Sequence, residues 1–153
     1  MFTASAEIVS GRGKCKDSKL SHIASKNEME RGGWVFENIE SGKHNERCKG
    51  STWKGHRNTT GHKQKSGVYA IFKGRGTAEF KIGNCGFDND ATVELLLNDN
   101  EIGSISKMAE KYFTVFYSRN DTLHIRAVSD SQYGAIINIL NIEILCGRND
   151  VKA

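Results

Sequence analysis

From Gly67 onward the chain alternates apolar and polar residues in short runs, each closed by a cluster of turn-forming residues. Gly67–Lys73 (GVYAIFK) leads through Gly74-Arg75-Gly76 into Thr77–Ile82 (TAEFKI). Two alternating arms with glycines at the bend predict a hairpin. Ala91–Leu97 follows a polar loop; Asn98-Asp99-Asn100 makes the next turn, and Ile102–Ile105 is a short strand leading toward one helical turn near Ser106–Glu110. Tyr112–Tyr117 and Thr122–Val128 predict a second hairpin across Ser118–Asp121. In its second arm Leu123, Ile125 and Ala127 share one face while His124 and Arg126 share the other, the period of a half-buried strand. Ala135–Leu145 is long, β-branched and nearly free of charge, which suits a central strand covered on both faces. Short strands recurring at this spacing argue for an all-β fold, an antiparallel β-sandwich or jelly roll.

The first 66 residues carry less pattern. Ser18–Arg31 predicts one short helix, with Ser25 and Glu28 at capping-box spacing and Gly32-Gly33 as its stop. Trp34-Val35-Phe36 reads as a strand. Residues 41–66 are rich in Gly, Ser, Thr, Asn, His and Lys and read as a long loop. The expectation is a single domain over residues 1–153. It comprises an irregular, basic N-terminal section (1–66) with at most one short helix, and a strand-rich core (67–146).

Composition narrows the class. The chain has 153 residues, enough to bury a core without metal or disulfide support. It holds no proline, which excludes collagen-like and proline-rich chains. No apolar run is long enough to span a membrane, and no heptad repeat supports a coiled coil. Four cysteines (Cys15, Cys48, Cys85 and Cys146) form no C-x-x-C motif; they allow two disulfides in any of three pairings. The sequons at Asn58 and Asn120 fit a secreted protein, although the N-terminus has no signal peptide. The expected localisation is extracellular.

Net charge is +4, and the basic excess concentrates in residues 43–65, where Lys43, Arg47, Lys49, Lys54, Arg57, Lys63 and Lys65 face only Glu46. A positive surface of this kind attracts polyanions. His44, Cys48, His56 and His62 offer zinc-type donors, but the spacing matches no zinc module and the neighbouring lysines oppose a cation. Asp88, Asn89 and Asp90, with Asp99, Asn100 and Glu101, offer oxygen ligands in loops at opposite ends of a strand; solvated turns are the favoured reading. No metal and no cofactor is expected. Glu79, Glu94 and Glu143 fall mid-strand, and a pair of them could meet across neighbouring strands, but no catalytic set stands out. His124 has Asp121 and Asp130 as possible carboxylate partners. Gly67-Val68-Tyr69 and Lys81-Ile82-Gly83 are similar to the paired tripeptides of the GIY-YIG nucleases; Asn84–Asp90 follows, however, where that family has an arginine-bearing helix.

Trp53 lies between Lys49 and Lys54, and a tryptophan among polar residues needs cover from a ligand or from packing. The order GVYAIFKGRGTAEFKIG, VELLLNDNEIG, YFTVFYSRNDTLHIRA, AIINILNIEIL over residues 67–146 resembles the galactose-binding-like jelly rolls, with Asn120-Asp121-Thr122-Leu123 at their late hairpin. Members are mostly non-catalytic carbohydrate-binding or adhesive modules, and the resemblance implies the same here. The function expected is a lectin-like carbohydrate-binding module, with anionic glycans as one ligand class. The expected site has Trp53 stacking on a sugar and Arg47, Lys54 and Arg57 contacting hydroxyl or anionic groups. The alternative is a protein-interaction or structural module, docking a protein partner or a second copy. A nucleic-acid-binding protein, or a small hydrolase or nuclease, ranks after that; nucleic acid is not favoured, because residues 43–65 lack interleaved aromatics.

Overall fold

The computed structural model describes residues 15–41, 51–55, 66–86, 91–128 and 136–146, with backbone alone at 40, 41, 51–55 and 146. A 3-10 turn (Ser18–Ser21) and helix α1 (Lys26–Gly32) are followed by ten strands: β1 (Val35–Glu37), β2 (Ile39–Ser41), β3 (Ser51–Gly55), β4 (Gly67–Ile71), β5 (Gly76–Asn84), β6 (Thr92–Leu97), β7 (Asn100–Ile105), β8 (Glu110–Tyr117), β9 (Thr122–Val128) and β10 (Ile136–Cys146). They form two five-stranded antiparallel sheets, a first sheet in the order β1-β4-β9-β6-β7 and a second in the order β2-β3-β10-β5-β8. This is the expected β-sandwich of jelly-roll type.

Alternation builds the core. Val68, Ala70, Val93, Leu95, Ile105, Leu123 and Ile125 from the first sheet are buried against Ala78, Phe80, Ile82, Val115, Ile137, Ile139 and Ile142 from the second. Fully burying a Leu, Ile or Phe side chain contributes about 1.5–3 kcal/mol, so the inward positions are what hold the two layers together. Strand β10 is central to its sheet, as expected, but is covered on both faces only from Ile136 to Ile139. Its register against β5 then slips between Ile139 and Asn141, leaving Leu140 as an extra residue. Beyond that bulge Ile142 and Ile144 face inward, while Asn141 and Glu143 are exposed.

Two predicted hairpins are absent. Strands β4 and β5 lie in different sheets, as do β8 and β9, so each connection is a crossing between layers. The cause is at Phe72: its N–H donates to the Asp121 carbonyl (2.9 Å), and its own carbonyl accepts from the Asn120 N–H (2.8 Å). Its ring stacks on Tyr117 in the core, with centroids 3.7 Å apart and planes at 14°. The two crossings therefore clasp each other. Asp17, only 4% exposed, secures the next step by accepting from the N–H groups of Lys73 (2.8 Å) and Gly74 (3.1 Å). The β6–β7 hairpin does form, with Asn98 and Asp99 both at positive φ as a tight two-residue turn requires. Residues 106–109 make a turn rather than a helical one.

The N-terminal section is more regular than expected, since it supplies β1, β2 and β3. The helix predicted over 18–31 divides into the 3-10 turn and α1. Ser25 caps α1, its side chain accepting from the Glu28 N–H, and Gly33 ends the helix at φ 120°. The break lets Leu20, Met29 and Trp34 all reach the core; the Trp34 indole N–H donates to the Leu20 carbonyl at 2.9 Å.

Replacing Asp17 leaves two N–H groups at the crossing without their acceptor. Asp17→Ala should lower the free energy of unfolding by about 2–4 kcal/mol, read from urea denaturation, because hydrogen bonds to a charged group are worth more than neutral ones. An unchanged midpoint would show that the crossing holds without this cap.

Candidate functional site

The outer face of the second sheet is set by the register of β8, β5 and β10. Directly opposed residues share a face, so the outward positions form rows: Tyr112–Lys81–Asn141, Thr114–Glu79–Glu143 and Phe116–Thr77–Leu145. Tyr112 is 78% exposed and Phe116 is 77% exposed, the two most exposed large hydrophobic side chains among the described residues. Both project from edge strand β8, four residues and so about 13 Å apart. Lys81 Nζ lies 5.3 Å from the Tyr112 ring centroid and 3.7 Å from the Glu110 carboxylate, which holds the cation against the ring edge of the strip.

On the far side of the rows an open groove of about 550 Å³ runs between the 3-10 turn and β10. Ser18, Lys19, Ser21 and His22 form one wall, and Asn141 to Ile144 form the other. Asn141 and Glu143 therefore belong both to the sheet face and to the groove. The whole surface combines two flat apolar rings, two carboxylates directly opposed at Glu79 and Glu143, one ammonium and several hydroxyl and amide groups. Such a surface can stack on a ring and hydrogen-bond its rim.

The outer face of the first sheet is closed by its own polar pairs. Arg126 donates through Nε (3.0 Å) and an Nη (2.8 Å) to one Glu94 oxygen. His124 lies 3.6 Å from the Glu37 carboxylate and packs its ring 4.9 Å from that of Tyr69. His124 is thus outward-facing as the alternation predicts, but its carboxylate neighbour is Glu37. Asp121 is engaged in the turn, accepting from the Asn98 amide and the Ser118 N–H; Asp130 lies outside the described residues. Of the three mid-strand glutamates, Glu79 and Glu143 meet across β5 and β10, whereas Glu94 is in the other sheet.

Trp53 and Lys54 belong to strand β3, not to a loop, with Cα partners Ile137 and Ile136 on β10. Their side chains, and Arg47 and Arg57 altogether, lie outside the described residues, as do His44, Cys48, His56, His62 and Asp88 to Asp90. No group of three or more His, Cys, Asp or Glu able to hold a metal occurs among the described residues. Among these residues, too, no cysteine is free, Cys15 and Cys85 both being disulfide-bonded. Sequence reasoning missed Tyr112 and Phe116. Aromatic residues occupy both parities of the YFTVFY run, so only the strand's position in the sheet reveals which rings are left uncovered.

No family model and no curated protein matches the chain. Among solved structures it is similar to the secreted serine protease VesC from Vibrio cholerae, with a TM-score of 0.50 and 15% identity, covering 79% of this chain and 27% of that one. It is also similar to a family 35 carbohydrate-binding module from Clostridium thermocellum (TM-score 0.46, 11% identity, 71% of this chain and 90% of that one). A module of the same family from Paenibacillus barcinonensis gives a TM-score of 0.44 at 11% identity, over 71% of this chain and 92% of that one. Carbohydrate-binding modules are thus among the matched structures. At these identities the likeness is one of fold.

Because Tyr112 and Phe116 project into solvent, the fold does not depend on their rings. Tyr112→Ala and Phe116→Ala should each shift stability by no more than about 0.5 kcal/mol in thermal melts of dilute, monomeric protein. A loss of several times that would mean the rings are covered within a single chain.

Proposed function

We propose that the chain is a non-catalytic carbohydrate-binding module whose ligand lies across the outer face of the second sheet. The observation that carries this reading is the pair Tyr112 and Phe116, exposed on one face with polar rows beside them. Water is a poor neighbour for two bare rings, and a sugar is a good one: its axial C–H groups cover an aromatic face while its hydroxyls point to the rim. Glu79, Glu143 and Asn141 then accept hydroxyl hydrogens, and Lys81 donates to ring or exocyclic oxygens. The carboxylates favour a hydroxyl-rich neutral sugar in this part of the face.

Anionic groups on the ligand are met from β3, one strand in from the other edge of the same sheet. Lys54 lies on β3 at an outward register position, opposite Ile136, and Arg47 and Arg57 flank that strand in sequence; Trp53, opposite Ile137, holds a register position on the other face of the strand and is not part of this outer surface. Binding that includes this edge should weaken with salt, and binding confined to the aromatic strip should not.

The same reading makes the protein extracellular. Cys15 and Cys85 are both disulfide-bonded, and such bonds persist in oxidising compartments. Under denaturing conditions, alkylation should label no cysteine until reductant is added. Labelling without reductant would remove this support.

The binding test is a glycan array of neutral and sulfated sugars at low and high salt, followed by titration of the best ligand. Tyr112→Ala/Phe116→Ala should weaken binding at least about tenfold, the equivalent of one lost stacking contact of 1–2 kcal/mol. Full affinity in that double variant with loss in Lys54→Ala would move the site to β3. No glycan signal from folded protein would end the carbohydrate reading.

A further inference from the structure

Among the described residues the two sheets end in four edge strands: β1 and β7 in the first, β2 and β8 in the second. Three of these are poor templates for a further strand. β1 and β2 are each three residues long. β7 has six residues, and its register against β6 slips between Leu95 and Leu96. β8 is different, for its eight residues pair with β5 in unbroken register from Tyr117 to Glu110. Natural edges are blunted by shortness, bulges, proline or charge. β8 has none of the first three, and its one lysine, Lys111, is drawn across to β7, where Nζ donates to the Ser104 carbonyl at 2.8 Å. The same strand carries the two most exposed aromatic rings among the described residues.

We propose that β8 pairs antiparallel with β8 of a second copy, about a two-fold axis through Thr114, joining the two second sheets into one continuous ten-stranded sheet. Symmetry and pleat fix the register. Opposed residues must share a face, so outward positions of one copy meet outward positions of the other. Centring the axis on Thr114 sets Tyr112 opposite the second copy's Phe116, and Phe116 opposite its Tyr112. Centring on Tyr112 or on Phe116 leaves the other ring without an aromatic partner. The Thr114 register also sets Glu110 opposite Ser118 and Lys111 opposite Tyr117 at each end of the seam, so no like charges are directly opposed. Aromatic cross-strand pairs stabilise an antiparallel seam, and like charges directly opposite would destabilise it. The occupant that fits is therefore the chain itself, because the strand is complementary to its own reverse.

This inference rests on the edge and its register, not on the carbohydrate reading, and it is tested without any sugar. Sedimentation of the full chain should show a dimer that grows with concentration. Thr114 is exposed, so Thr114→Arg sets two guanidinium groups against each other at the axis without touching the core; it should sediment as a monomer with unchanged circular dichroism. Thr114→Cys, mildly oxidised, should give a covalent dimer on a non-reducing gel, because residues on the axis approach to disulfide distance. Glu79→Cys, on the same face but one strand inside the edge, should not. A wild-type chain that stays monomeric at the highest attainable concentration overturns the proposal. So does a dimer that survives Thr114→Arg, or one in which Thr114→Cys fails to cross-link. If Thr114→Arg fails to fold, the cysteine pair alone decides.

Discussion

The clasp at Phe72 is the constraint on which the two-layer arrangement depends. Here the chain leaves one sheet for the other, and its backbone is bonded on both sides to the second crossing at Asn120 and Asp121. The ring is buried against Tyr117, the last residue of β8. One side chain thus fixes where β4 stops, where β8 stops and how far apart the layers stand. Asp17 adds an anchor from the N-terminal section, tying the 3-10 turn to the same point. Strand β8 is consequently held at its C-terminal end by core packing and along one side by β5, while its other side faces outward with its aromatic face intact.

Alternation along the chain made the strands legible but not their partners. GVYAIFK and TAEFKI read as a hairpin because a glycine-rich bend between alternating arms looks the same whether the arms pair or part company. What separates the two outcomes is Phe72, whose apolar ring in the bend is better buried between layers than left on a turn. Asn98-Asp99 was legible in full, since two residues tolerant of positive φ define a tight turn by local chemistry alone. The strand at Trp53 was hidden because its neighbours are small and polar. Its ladder is supplied by β10 and β2, which are remote in sequence from one another.

The candidate site was legible only in part, for the same reason. His124 and Arg126 could be assigned to an outer face from their parity, yet their partners Glu37 and Glu94 come from strands whose adjacency is a matter of topology. Tyr112 and Phe116 alternate with Phe113, Val115 and Tyr117, all of them apolar. Hydrophobicity therefore said that both faces of the strand want cover, and only the edge position left one face open. A sequence reports what a residue prefers, whereas a site is made where the fold denies that preference.

The bulge at Leu140 has a consequence for how this surface can vary. Before it, odd-numbered residues of β10 point into the sandwich; after it, even-numbered ones do. Leu140 is the supernumerary residue that reconciles an inward Ile139 with an outward Asn141 two positions on. The ladder partners of those two residues, Ile82 and Lys81, are already consecutive, so loss of that one codon would straighten the strand and leave Asn141 and Glu143 outward and Ile142 and Ile144 inward. The chemistry of the face is in this sense protected against a change of phase at that point. A single-residue deletion further along the strand has no such slack, and would exchange the two faces of everything that follows it.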